Sequence, residues 1–185
     1  MAPEVPVEKQ LSSTPRAAWR VLRDVASAVV LAVFVIVFVY RPVKVEGTSM
    51  MPNLDDDERI FINQFTYRFG IDQIQRGDTI VFWYPWDRSK SYIKRVIGLP
   101  GDVVEIEDGD VYINHRKLDE PYLPEAYRDN SSMERRIVPP NEYFVLGDHR
   151  SSSNDSRVWG TVPRELIFGK AVFAYWPVDK MGRVN

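Results

Sequence analysis

Cysteine is absent from the 185 residues, which excludes thiol catalysis, disulfide stapling and any cysteine-ligated zinc site. Histidine is nearly absent as well. His115 and His149 are the only two, and neither stands in a recognisable serine, histidine and acid arrangement. Positive charge is not in surplus: 24 Lys and Arg against 26 Asp and Glu give a formal net charge of −2. No basic surface therefore announces a nucleic acid partner. The carboxylate run DDDE at 55–58 reads as a solvated turn and not a metal site, because no histidine or further carboxylate stands at ligand spacing. No metal and no cofactor are expected. The 13 prolines argue against a helical bundle, and no internal repeat is visible.

One long apolar run is present. Residues 25–40, VASAVVLAVFVIVFVY, carry no charge. As a helix they would span about 24 Å, slightly short of a hydrocarbon core of roughly 30 Å. Val21 and Leu22 extend the run if Arg23 and Asp24 sit at the interface, and Trp19 and Tyr40 flank it where interfacial aromatics are found. A buried core helix would show a polar face, and a cleaved secretory signal would end in small residues, whereas Tyr40-Arg41-Pro42 follows. The expectation is a single-pass anchor over 25–41. Arg16, Arg20 and Arg23 before it, against Arg41 and Lys44 after it, favour a cytoplasmic N-terminus by a small margin. Residues 1–24 read as a cytoplasmic tail, polar and proline-bearing in its first 15 residues. Residues 42–185 form the domain on the far side.

That domain reads as mainly β. Short β-branched and aromatic stretches at 59–63, 79–84, 92–97, 103–107, 110–114, 142–146 and 170–176 alternate with turn residues. Pro100-Gly101 suits a type II turn, and Asp108-Gly109 a tight hairpin. Such spacing predicts an antiparallel sheet or partly closed barrel. A small irregular cap is expected over about 103–141, since 116–141 is polar, holds four prolines and shows no period. The aromatic run Phe82-Trp83-Tyr84-Pro85-Trp86 suits a membrane-facing surface and core packing equally well.

Three places carry candidate chemistry. Ser49 lies in EGTSMMPNL (46–54), where Gly47 permits unusual dihedrals and Pro52 stiffens the exit. It is either an ordinary turn serine or an exposed nucleophile with a free backbone N–H. Lys94 lies in YIKRVI (92–97), an alternating strand that puts Lys94 and Arg95 on opposite faces. Both faces carry apolar residues, so one of these cations is pressed into an apolar setting. Burial favours a neutral lysine, the form able to accept a serine proton. GDHRSSSNDSR (147–157) is dense in hydroxyls, carboxylates and guanidinium groups. A hydroxyl from such a loop can orient a neutral lysine without recharging it; otherwise the segment is a polar surface loop.

Taken together, the ordered blocks GTSMMPNL (47–54), RGDTIVF (76–82), YIKRVIGLPGD (92–102) and GDHRSSSNDSR, behind an apolar run, resemble the bacterial type I signal peptidases. That resemblance covers the chain from the apolar run to Pro177. It implies a membrane-bound serine endopeptidase that removes signal peptides from exported preproteins after small residues, with the lipid bilayer as its other partner. It places the enzyme in the bacterial inner membrane and leaves the oligomeric state unknown. By motif, Ser49 is the nucleophile, Lys94 the general base, and Ser153 the hydroxyl that orients it. Asp155 and Arg157 form a supporting ion pair, and Asp78 pairs with Arg95, leaving Lys94 inward. Gly47 stands where some relatives carry an oxyanion-binding serine, so the Ser49 N–H is the expected main donor, with Thr48 at most a helper. His149 replaces a usual asparagine and is not read as the base. A self-cleaving Ser/Lys repressor would need a DNA-binding segment that the chain lacks. A catalytically silent peptide-binding domain would not need Ser49, Lys94 and Ser153 together.

Overall fold

A computed structural model describes residues 15–65 and 73–184, with the side chains of residues 15–16 and 35–38 outside that description. Its first element is a helix, Pro15–Val39, of 25 residues. It starts well ahead of the apolar run, taking in Arg20, Arg23 and Asp24. The expected polar tail lies outside the described residues as far as residue 14. Among the described residues no helix is long and apolar enough to cross a membrane, and residues 35–38 of the apolar run lie outside that count. Over residues 17–34 the apolar side chains of the helix are exposed, among them Trp19, Leu22, Val25, Val30, Leu31 and Phe34.

From Phe38 onward the chain is a separate compact unit, and it is mainly β, with only short helical turns between strands. Its strands are β1 (Tyr40–Lys44), β2 (Arg59–Asn63), β3 (Thr79–Tyr84), β4 (Asp87–Gly98), β5 (Val103–Glu107), β6 (Asp110–Ile113), β7 (Arg116–Lys117), β8 (Met133–Ile137), β9 (Glu142–Leu146), β10 (Val162–Pro163), β11 (Ile167–Trp176) and β12 (Gly182–Arg183). The main sheet runs β1-β2-β11-β3-β4-β9-β10, with β12 added to β11, and its pairings are antiparallel. It ends at β1 and β10, so of the two forms expected it is the antiparallel sheet, left open, and not the partly closed barrel.

The excursion is likewise more regular than expected: β7-β6-β5-β8 form a second antiparallel sheet. Its core is shared with the main sheet, since Val104, Ile106, Val111 and Ile113 cluster with Ile97, Phe144 and Leu146. The outer strand β8 is almost wholly exposed, which explains why MERRI shows no apolar alternation. The two turn readings hold. Asp102 N–H donates to the Leu99 carbonyl at 2.9 Å with Gly101 at φ +88°, while Glu107 pairs with Asp110 across Asp108-Gly109. The aromatic run divides by strand alternation. Phe82 and Tyr84 turn into the core with Trp159, whereas Trp83 and Trp86 are exposed.

Candidate active site

The loop carrying Ser49 is sewn shut at its base by the β1–β2 hairpin. Beyond the Lys44–Arg59 pairing, Val45 N–H donates to the Glu58 carbonyl at 2.8 Å and Asp57 N–H to the Val45 carbonyl at 3.0 Å. Met50 and Leu54, each 1% exposed, plug the loop into the apolar cluster of β1, β2 and β11. Ser49 itself stays half-buried. It borders a groove of about 220 Å³ lined also by Val43, Val45, Val81, Ile93, Lys94 and Asn154.

Lys94 reaches this serine from β4, the strand paired with β3 at Ile80. Its Nζ lies 2.5 Å from Ser49 Oγ and 3.0 Å from the Ile93 carbonyl oxygen. It is 4% exposed and makes no ion pair among the described residues. Burial pulls its pKa down to about 8, with Asp155 and then Asp148 opposing more weakly from a distance.

The neighbouring Arg95 is buried too, so strand alternation does not distinguish the two cations by exposure. What distinguishes them is the placement of a carboxylate. Arg95 donates from Nε to Asp148 Oδ1 at 2.8 Å and from Nη2 to Asp148 Oδ2 at 2.6 Å, and from Nη1 to the Gly77 carbonyl at 2.9 Å. Tyr122 stacks over its guanidinium. Arginine is the residue suited to such a buried bidentate pair, because it stays charged where lysine shifts. The expected pairing of Asp78 with Arg95 is corrected accordingly. Asp78 accepts from Lys170 Nζ at 2.5 Å and from Gln75 N–H at 3.0 Å, and β11 brings that lysine alongside β3.

The loop after β9 supplies the remaining site residues. Asp155 accepts from Arg157 Nε and Nη2, each at 2.8 Å, so the expected ion pair is formed. It also takes the Gly147 N–H at 3.1 Å and caps the short helix Ser156–Trp159. Ser153 stands beside the site but not bonded to the lysine as expected: its Oγ is buried without a hydrogen-bond partner. It packs over Gly147, where a built Cβ would fall 2.2 Å from Ser153 Oγ and 2.5 Å from the Ser49 carbonyl oxygen. Only glycine lets the two loops approach so closely. The polar contacts of Lys94 go instead to Ser49 and its own strand.

Comparison with known proteins bears on this arrangement. The family model described as "Signal peptidase, peptidase S26" matches residues 18–176. The chain belongs to the peptidase S26 signal peptidase family. Probable signal peptidase I-2 of Synechocystis sp. is 38% identical over 183 residues, covering 94% of this chain and 81% of the relative. Signal peptidase I of Bacillus licheniformis is 33% identical over 187 residues, covering 96% and 99%. The crystal structure of a signal peptidase I from Enterococcus faecalis, 37% identical, matches 54% of this chain and 97% of its own with a TM-score of 0.48. This peptidase is therefore a bacterial type I signal peptidase and a serine hydrolase.

Several residues that shape this peptidase site were not anticipated. Asp148, fully buried, joins Arg95 to Asn53 of the serine loop, whose Nδ2 donates to Asp148 Oδ2 at 2.9 Å. Glu120 of the excursion binds Arg150, both side chains 2% exposed, and accepts from the Tyr122 hydroxyl at 2.6 Å. Arg157 reaches on to Asp129 Oδ2 at 2.6 Å. Asp148 was within sight, since it opens the polar block directly after an apolar strand. Glu120 and Asp129 lie in an aperiodic polar stretch where nothing marks them. Among the described residues no group of three His, Cys, Asp or Glu side chains could hold a metal ion.

Proposed function

We propose that this chain is a membrane-anchored endopeptidase that cuts signal peptides from exported preproteins after small residues, with Ser49 as nucleophile and neutral Lys94 as general base. The observation that carries the reading is the 2.5 Å approach of Lys94 Nζ to Ser49 Oγ, made by a buried lysine with no carboxylate in contact. Its neutral amine accepts the hydroxyl proton as Oγ attacks the scissile carbonyl. The Ser49 N–H, which donates to no other described residue, faces the developing oxyanion. Collapse expels the new N-terminal amine, which takes the proton back from Lys94. Water then attacks the acyl ester, gives its proton to Lys94, and Ser49 is restored when that proton returns to Oγ. Asp155 and Arg157 fix the loop that closes the site, and Ser153 is the nearby hydroxyl for holding the amine.

The groove beside Ser49 has short apolar walls in Val43, Val45 and Val81, which suits an extended peptide with small side chains. The anchor rests on the uncharged run 25–40 and on the exposure of the helix's apolar side chains, which water alone does not favour. Exposed Trp83 and Trp86 suit a bilayer interface.

The test is cleavage of a preprotein by the purified full-length chain in detergent, with the cut mapped by mass spectrometry. A substrate with alanine at −1 and −3 should be cut once, after the −1 residue. Phenylalanine at −1 should slow cleavage at least about tenfold, the order that a mismatched apolar pocket gives. Equal cleavage of both substrates would contradict the small-residue reading.

A further inference from the structure

The acidic run 55–58 and His149 both stand outside the chemistry above, and both touch the serine loop. Gly47 N–H donates to Asp56 Oδ1 at 2.8 Å, and Gly47 sits at φ +92°. This bond extends the hairpin ladder of Val45, Asp57 and Glu58 by one step, with a side chain replacing a strand carbonyl. From the other side, His149 N–H donates to the Ser49 carbonyl at 3.0 Å. His149 Nδ1 lies 3.2 Å from the Thr48 carbonyl oxygen. A carbonyl only accepts, so Nδ1 carries the proton, and the ring is seated edge-on against Tyr127. Met51 N–H donates to that same Thr48 carbonyl at 3.1 Å.

The peptide groups around Ser49 are thus held by Asp56 and by His149, while its own N–H donates to no described residue. We infer that Asp56 and His149 are positioning residues that brace the serine loop, aiming the Ser49 N–H at the oxyanion and so making up for the missing side-chain donor at Gly47. Asp56 is suited to this because Gly47 has no side chain to hold its own left-handed conformation, and an external acceptor selects it. His149 is suited because it grips two successive carbonyls, at Thr48 and Ser49, on the far side of the N–H. Neither touches the reacting atoms.

The inference rests on Ser49 being the nucleophile, and the experiment keeps the two apart. Preprotein cleavage is measured for Asp56→Ala, Asp56→Asn and His149→Ala, beside Ser49→Ala, with thermal unfolding of each. Asp56 is exposed, so its variants should unfold near the wild-type temperature. Asp56→Ala and His149→Ala should each lose roughly ten- to a hundredfold in kcat with KM nearly unchanged, the scale of a misplaced donor. Asp56→Asn should recover most of that loss, because its amide oxygen still accepts from Gly47. Wild-type kcat in both alanine variants, or a loss confined to KM, would overturn the brace. Failure of Asp56→Asn to improve on Asp56→Ala would overturn it too. Retained activity in Ser49→Ala would instead overturn the nucleophile assignment on which it stands.

Discussion

Ser49→Ala and Lys94→Met should each reduce preprotein cleavage by at least about a thousandfold, with the fold intact. A general base contributes about 10²–10⁴, and a nucleophile with no substitute leaves only the background from binding and the oxyanion donor. No other group is placed to take over from Lys94. Among the described residues only Lys94 contacts Ser49 Oγ; His149 meets this loop at the Thr48 and Ser49 backbone carbonyls, and His115 lies in the exposed turn after β6. Lys94→Met keeps an unbranched apolar stem at a buried position, so loss of activity would not come from unfolding. The measurement is single-turnover cleavage at pH 8 with circular dichroism of each variant. Near-normal turnover by either would contradict the mechanism.

The second large effect is on stability. Asp148→Ala should destabilise the catalytic unit by about 3–5 kcal/mol, the usual result of leaving one member of a buried ion pair alone. The side chains of Arg95 and Asp148 are 3% and 0% exposed, so neither water nor salt can replace the lost carboxylate. Asn53 would lose one of its two acceptors, keeping only the Tyr122 carbonyl, which loosens the serine loop. Replacing both partners by apolar residues of similar size should cost far less, because no charge is then stranded. Denaturant unfolding of the single and double variants checks this, and a single-variant loss under about 1 kcal/mol would show the pair is not buried as described.

Much of the sheet was legible from alternation. The strands at 59–63, 79–84, 103–107 and 142–146 occur where β-branched residues and turn signals put them, because each buries one face or both. Strands β1, β7, β10 and β12 were not anticipated: they are short or largely exposed, and pairing rather than apolar pattern holds them. The excursion misled for the same reason, since MERRI turns charged side chains to water on an outer strand. At the site, alternation placed Lys94 and Arg95 on opposite faces but did not rank them. The missing information was a carboxylate 53 residues downstream, and no local pattern announces Asp148 as the partner of one cation and not the other. Asp56 shows the reverse case: DDDE is a turn as expected, though Glu58 is buried and not solvated, and the turn's position against Gly47 is fixed only by the hairpin register.

The central claim is that a lysine neutral at working pH activates Ser49. The most direct test is the pH dependence of kcat/KM for preprotein cleavage, which reports the free enzyme. The active form is the deprotonated amine, and burial lowers its pKa from 10.5 to about 8. Activity should therefore climb tenfold per pH unit on the acid side and level off as pH passes about 8. A limb centred near 10, where an ordinary lysine titrates, or near 6.5, where a histidine does, would contradict the account.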